Sequence, residues 1–582
     1  MNAHGYCALV GSGSPFRHAS AALHTAALSG QTLARWPNAV LVIGAHCGRI
    51  VLPQGKGFIL GNLFDRSGRS VDEVAPAIAA SWVASGGKTL LATYWGAYLA
   101  FLETASGPLL LRDPSGLFPC YYALRDGYAA VASDLAWARL AGDLPGGVCW
   151  PEIHAQLQYF SRRTERTAIE GLTELLPGTA LRLTAHGAAT ERLWSPYDFA
   201  QRWDRPLTFE EAAERFKRAA GTTIAAWAKR YPRPLVEISG GLDSSIVAAA
   251  SASHAPGMHA VTFRGGEADL DESRYAEAVA AHLGVPLARE LLDVTGVDLR
   301  RSAAQDLPRP TMRSFAQASD AQALRLAQTL GSDAFFAGTG GDSVLWYFNT
   351  AAPALDRLRV EGLGGFLKTV GDLAEICDVP WTTALSIAVK KRFERRPRPW
   401  PAAIDLLSSD ARTPATVSAH PWWPPPPGTL PGVRSYVRAM IQVSDHLEYD
   451  LRARHAPVVA PLVSQPIIET CLQTPSWLAC TGGVNRAVAR AAFAGALPQS
   501  ILERRTKGGF DSFAHGVLER NRAIAREMLS NGRLASEGLL DVRAIACCLA
   551  DPAPIPPERS TRILRLVAVE AWIDSLRRHG IG

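Results

Sequence analysis

The sequence predicts an α/β protein in two parts: a β-rich part over residues 1–205, then a parallel sheet with a helical C-terminal part over 206–582. Short apolar runs separated by Gly, Pro, Asn and Asp fill the first part. Past Pro206 strands alternate with helices, which is the pattern of a doubly wound sheet. From about residue 345 onward the pattern is largely helical.

In the first part the strand signals are Ala39–Ile43, Leu109–Leu111, Tyr128–Ala132 and, after the turn Leu175-Leu176-Pro177-Gly178, Thr179–Leu183. The boundary falls near Asp204-Arg205-Pro206, because Thr208 can cap a helix carrying Glu210 and Glu211 in its first turn and apolar Phe209, Ala212, Phe216 and Ala219 along one face. Strands follow at Pro234–Ile238, His259–Phe263, Leu287–Leu291 and Ala334–Ala337. The intervening helices are Ser244–Ser253, Ser273–Leu283 closed by Gly284, and Ser319–Leu330 stopped by Gly331. Such a sheet takes its ligand at the carboxyl ends of its strands. The proline clusters at 396–401 and 421–428 read as exposed, polyproline-like connections.

With 582 residues and 47% hydrophobic side chains, the chain is far too large and apolar for disorder or a disulfide-stapled miniature. The 60 basic residues exceed the 54 acidic ones by six, which suits an anionic ligand such as a nucleotide; the charges are dispersed and form no tail for a nucleic-acid partner. Nine cysteines without Cys-x-x-Cys spacing or clustered histidines read as buried free thiols in a reducing compartment. A Lys/Arg-led N-terminal apolar run and a membrane-length apolar stretch are both missing, so the expectation is a soluble, cytoplasmic protein.

The sharpest signal is Leu235-Val-Glu-Ile-Ser-Gly-Gly-Leu-Asp-Ser-Ser245, a strand that runs through Ser239-Gly240-Gly241 into a helix. Two glycines let the backbone approach an anion, and the N–H groups of the helix start point at it. Ser239, Ser244 and Ser245 add hydroxyl donors. This loop has no Gly-Lys-Ser/Thr, so the anion is a pyrophosphate rather than a transferable terminal phosphate. Asp243 among phosphates calls for a cation between them, which points to Mg²⁺. A second strand end, Phe335-Phe-Ala-Gly338-Thr339-Gly340-Gly341-Asp342, repeats the logic and sets Asp342 beside Asp243 as metal ligands.

These segments resemble the asparagine synthetase superfamily of AMP-forming amide synthases. The resemblance implies that Ser239, Gly240, Gly241, Asp243, Ser244 and Ser245 hold the pyrophosphate of ATP, that Val261 and Phe263 line the adenine site, that Gly338, Gly340 and Gly341 form the second loop, and that Asp243 and Asp342 share Mg²⁺. In Arg504-Arg505-Thr506-Lys507-Gly508-Gly509-Phe510, Lys507 matches the family lysine that neutralises the phosphates and the tetrahedral intermediate. Trp95-Gly96-Ala97-Tyr98 and Leu111-Arg112-Asp113-Pro114-Ser115-Gly116 resemble the family's first domain, an N-terminal-nucleophile hydrolase-like sandwich. The implied fold is that sandwich in degenerate form over 1–205, followed by an adenine-nucleotide α-hydrolase-like synthetase domain over 206–582.

The departures narrow the function. Position 2 is Asn2, and Cys7 sits inside the apolar run Tyr6-Cys7-Ala8-Leu9-Val10, so the glutaminase fold is expected without its chemistry, leaving the amine to come from the substrate. Thr339 stands where asparagine synthetases carry Glu and β-lactam synthetases Tyr. Ala460-Pro-Leu-Val-Ser-Gln-Pro-Ile-Ile-Glu469 and Gly482-Gly-Val-Asn-Arg486 look like the cyclases that close lasso peptides. The resemblance implies adenylation of an Asp or Glu side chain in a leader-cleaved precursor peptide, attack by the peptide's N-terminal amine, and a leader-peptide protease as partner. That amine, with a pKa of about 7.7–8.0, needs little help from a base; Glu448, in His446-Leu-Glu-Tyr-Asp450, is the candidate for taking its proton, against the alternative of an ordinary helix-surface carboxylate. Other readings stay open: a small-molecule amide synthetase of the asparagine or β-lactam type, a tRNA-modifying enzyme with a related loop, and a non-catalytic binding subunit.

Overall fold

A computed structural model describes residues 2–26, 31–142, 146–184, 187–200, 205–264, 273–311, 313, 316–347, 350–393, 400–448, 451–505 and 511–581. It is a mixed α/β architecture with two antiparallel sheets, one parallel sheet and a helical C-terminal part.

Both antiparallel sheets have six strands and are drawn from the segment between Tyr6 and Arg192. One has Tyr6–Gly11 paired between Ala39–Ile43 and Tyr128–Ala132; the other centres on Gly57–Asp65 paired with Tyr94–Thr104. Their facing side chains, among them Tyr6, Phe58, Phe101 and Tyr122, make one buried core. Helices absent from the sequence expectation also lie in this part, the longest being Gly13–Ala26.

Helix Phe209–Arg230 begins at Thr208 with a full capping box: Thr208 Oγ1 accepts from Glu211 N, and Glu211 accepts from Thr208 N. Its buried face carries Trp227, whose ring meets Phe64 at 4.9 Å and Trp95 at 6.1 Å, while its Nε1 donates to Ser464 Oγ at 2.9 Å. The largest core therefore runs without a break from the second antiparallel sheet into the C-terminal helices.

The parallel sheet has the order Leu287–Leu291, His259–Arg264, Pro234–Glu237, Ala334–Phe336, Val458–Val459. From Pro234–Glu237 the chain winds first one way and then, from Ala334, the other, so the strand order reverses between those two neighbours. A crevice opens at the carboxyl ends of strands at such a point, and both glycine loops leave the sheet there. The fifth strand is two residues long and was not expected from sequence.

In the second proline cluster Pro424, Pro426, Pro427 and Gly428 are exposed as expected, but Trp422 is not, and residues 396–399 of the first cluster lie outside the described residues. Trp422 is 3% exposed, stacks edge-on against Trp194 at 5.6 Å, and its carbonyl accepts from Tyr197 Oη. An indole that size is worth too much buried area to be left in water, so the segment is pinned to the protein rather than looped away. All nine cysteines are free; Cys377 and Cys547 are exposed, against the expectation of burial. No helix of the described residues is long and apolar enough to cross a membrane.

Candidate active site

The first glycine loop leaves strand Pro234–Glu237 and turns at Gly240, whose φ of 70° favours a residue without Cβ. Gly241 then caps helix Leu242–Ala252, two residues earlier than the sequence suggests, which puts Asp243 in the first turn at the positive end of the helix. The serines tie the loop down. Ser244 Oγ accepts from Ser239 N at 3.2 Å, and Ser245 Oγ donates to Gly241 O at 2.8 Å.

The second loop packs directly on the first. A Cβ on Gly338 would lie 2.6 Å from Ser244 N, and one on Gly341 would lie 2.5 Å from Asp243 Cβ. Glycine is thus required where two backbones meet. Gly338→Ala is expected to cost about 1–3 kcal/mol through overpacking and to weaken nucleotide binding by wedging the loops apart; fluorescent-nucleotide titration alongside a thermal melt checks this, and unchanged affinity would contradict it.

The two aspartates converge. Asp243, 8% exposed, and Asp342 both accept from a single nitrogen, Arg486 Nη1, at 2.8 and 2.9 Å for the two oxygens of Asp243 and 2.8 Å for Asp342 Oδ1. Arg486 itself is in the left-handed region, with φ of 57°, and its guanidinium lies 5.2 Å from the centre of the Tyr347 ring. A cation is therefore already held between these carboxylates. Two carboxylates completed by phosphate oxygens and water is the donor set Mg²⁺ takes in nucleotide sites, so the residues fit that ion. Among the described residues no cluster of three or more His, Cys, Asp or Glu adds further ligands.

Arg490 and Arg504 close the site from the C-terminal side. Arg504 Nη1 donates to Gly240 O at 2.8 Å, and its guanidinium stacks 4.1 Å from the Tyr275 ring centre. Arg490 Nη2 donates to Arg504 O at 2.8 Å and Nη1 to Leu502 O at 2.6 Å, fixing this segment in place. Burial, helped by the charge of Arg486, draws Arg490 down to about 10. Sequence reasoning gave Arg486, Arg490 and Arg504 no role; the spacing of two arginines four apart, after two glycines, was the signal available. Lys507 lies outside the described residues.

Two of the other expected site residues, Val261 and Phe263, lie on the strand paired beside the first loop. Val261 is 1% exposed within the sheet core, packed with Leu235 and Phe335, and its carbonyl accepts from Ile238 N. Phe263 is partly buried, with Arg452 over its ring at 6.0 Å. Glu448 is no surface carboxylate: it is 9% exposed, bonded to Tyr121 Oη and to Arg163 Nη2 at 2.5 Å. Cys7 is fully buried in strand Tyr6–Gly11, and burial, with the charge of Asp134, pushes its thiol far up. Such a thiol is no nucleophile. Cys7→Ala is expected to keep ATP-dependent activity while losing about 1 kcal/mol of stability for the missing sulfur; a strong loss of activity with the fold preserved would refute this.

The asparagine synthase family model matches residues 233–574. No curated protein matches the chain significantly. Among solved structures the chain is similar to the allosteric regulatory enzyme of purine biosynthesis, at 12% identity over 56% of this chain and 88% of the other, with a TM-score of 0.23. It is also similar to the glutamine phosphoribosylpyrophosphate amidotransferase from B. subtilis complexed with ADP and GMP, at 13% identity over 58% and 91%, with a TM-score of 0.22. Scores this low carry no argument about this chain.

Proposed function

This chain belongs to the asparagine synthase family, whose chemistry is ATP-dependent amide bond formation, and from that premise we propose that it is an AMP-forming ligase that closes a macrolactam in a leader-cleaved precursor peptide. The observation that carries the ligase reading is the meeting of Asp243 and Asp342 on one cation at the reversal of strand order. A carboxylate and an amine in water give only a salt; converting the acid to an acyl adenylate supplies a leaving group. Mg²⁺ held by Asp243 and Asp342 would offset charge on the phosphates. The loop serines and the N–H groups at the start of helix Leu242–Ala252 orient the pyrophosphate, and Arg504, seated on Gly240 O, keeps that loop closed against Tyr275.

The choice of a peptide amine as nucleophile is supported by Cys7, whose burial removes a thiol route to ammonia in this strand. Holding amine and adenylate together in one cleft is worth an effective molarity of about 10⁵ M or more. Incubation with ATP, Mg²⁺ and a leaderless peptide bearing an internal Asp or Glu is expected to give the peptide minus one water, with AMP and pyrophosphate. AMP released only with a small acid and ammonium would replace this reading by a small-molecule synthetase. No AMP with any acid would leave a binding subunit.

A further inference from the structure

A cavity of about 260 Å³ lies between residues of the segment 156–163 in the first part and Arg309, Pro310, Thr311, Arg313, Asp445, His446, Glu448 and Arg565 in the second. Five arginines contribute to its wall: Arg162, Arg163, Arg309, Arg313 and Arg565. The carboxylates in the wall are Asp445 and Glu448, and Glu174 lies behind it. Arg163 is taken by Glu174 and Glu448, Arg309 by Glu174, and Arg313 lies 3.6 Å from Asp320.

Two guanidiniums have no ion-pair partner among the described residues, although the charge of Glu152 acts on Arg162. Arg162 donates to Ser418 O and rests 5.1 Å from the Trp400 ring centre; Arg565 stacks 4.8 Å from the Phe160 ring centre. Among the described residues neither makes an ion pair. More telling, four buried polar atoms of this one wall have no hydrogen-bond partner: the Nε atoms of Arg162, Arg309 and Arg565, and Thr311 Oγ1. Arg309 is only 5% exposed. Buried donors are ordinarily satisfied, and a group of orphans in one cavity marks a ligand of complementary charge. Burial lowers Arg162 and Arg565, and His446 beside them is lowered by burial and by the charges of Arg313 and Arg565.

Helix Pro431–Val443 links the edge of the cavity to the second glycine loop. Asp445 and His446 follow directly on helix Pro431–Val443, and Val443 lies 3.2 Å from where a Cβ on Gly340 would stand. We infer that this arginine-walled chamber recognises a carboxylate of the ligase's acidic peptide substrate, distinct from the carboxylate presented to the nucleotide. Planar guanidinium forks match a carboxylate, and the Phe160 and Tyr159 rings suit the apolar atoms around it. This rests on the ligase reading above for the identity of the ligand's owner, and on the orphaned donors for its charge.

The test is fluorescence polarisation with the full chain and labelled, C-terminally amidated Gly-Glu-Gly-Asp-Gly against its equally amidated Gln/Asn twin, without nucleotide. The acidic peptide is expected to bind tighter than the twin by about tenfold or more, the worth of a charge-assisted bond. That preference should vanish in Arg565→Gln and in Arg162→Gln, and return in part with Arg565→Lys, while fluorescent-nucleotide affinity stays unchanged in all three. Equal binding of the twins, or a preference surviving both glutamine variants, overturns the proposal; so does full displacement of the peptide by millimolar inorganic phosphate, which would mark a general anion site. Acid-selective binding through Arg565 with no AMP formed would sink the ligase reading alone. AMP formation indifferent to Arg565→Gln, with no acid preference in binding, would sink this one alone.

Discussion

Asp243→Asn is expected to lower ATP-dependent AMP release by about 10²–10³-fold or more, the scale on which a preorganised electrostatic group acts. The substitution keeps the shape and a hydrogen-bonding oxygen toward Arg486, and Arg486 retains its 2.8 Å contact with Asp342. The fold should therefore survive, and only the charge that draws a metal ion is lost. Asp342→Asn should behave alike, and the double variant should be little worse than either, since the two carboxylates serve one cation. AMP release measured against thermal melting separates chemistry from stability. A rate near that of the unaltered protein, with the fold intact, would remove the basis for placing nucleotide activation at these loops.

Glu174→Gln should produce the largest loss of stability. Its carboxylate is 2% exposed and accepts from Arg112 Nη1 at 2.7 Å, from Arg163 Nε and Nη2 at 2.8 Å each, and from Arg309 Nη2 at 2.8 Å. Removing one charge at the hub of three buried guanidiniums costs about 3–5 kcal/mol. Burial alone would raise this carboxyl, but Arg163, Arg309 and Arg112 outweigh it and hold it well below the usual carboxylate range. A depressed folded-state value means that the stabilisation is complete above the unfolded value of about 4.3 and fades as the pH falls below it. Denaturant titrations should thus show the parent protein losing stability below about pH 4, with this contribution to the slope absent from Glu174→Gln. An unchanged midpoint at neutral pH would contradict the hub.

The parallel sheet was legible because its signals are local. Helix Ser273–Leu283 and strand Leu287–Leu291 have the bounds that periodicity and Gly284 indicate, and Gly331 closes its helix at φ of 62°. The glycine loops were legible for the same reason. Strand Val458–Val459 was not, since two residues carry no period and its pairing with Phe335 and Phe336 spans more than a hundred positions. Arg486 was equally hidden: nothing near it in sequence tells that its partners are Asp243 and Asp342. Glu448, read as the proton acceptor with a helix-surface acid as the alternative, gave no sign of its burial, because Arg163 and Tyr121, which bury it, belong to the distant first part. The burial of Trp422 within 421–428 was missed because the density of prolines outweighed the paired indoles Trp422 and Trp423 among them.

Trp227 bears on what the first part does for the second. Its indole is wedged among Phe64, Trp95 and, through Ser464, the helices that carry the synthase sequence. Severing the polypeptide near 205 would strip that ring of Phe64 and Trp95 and expose a greasy scar along helix Phe209–Arg230, so neither fragment should remain monodisperse by itself. The first part, on this view, serves as a keel: it steadies the hull built upon it.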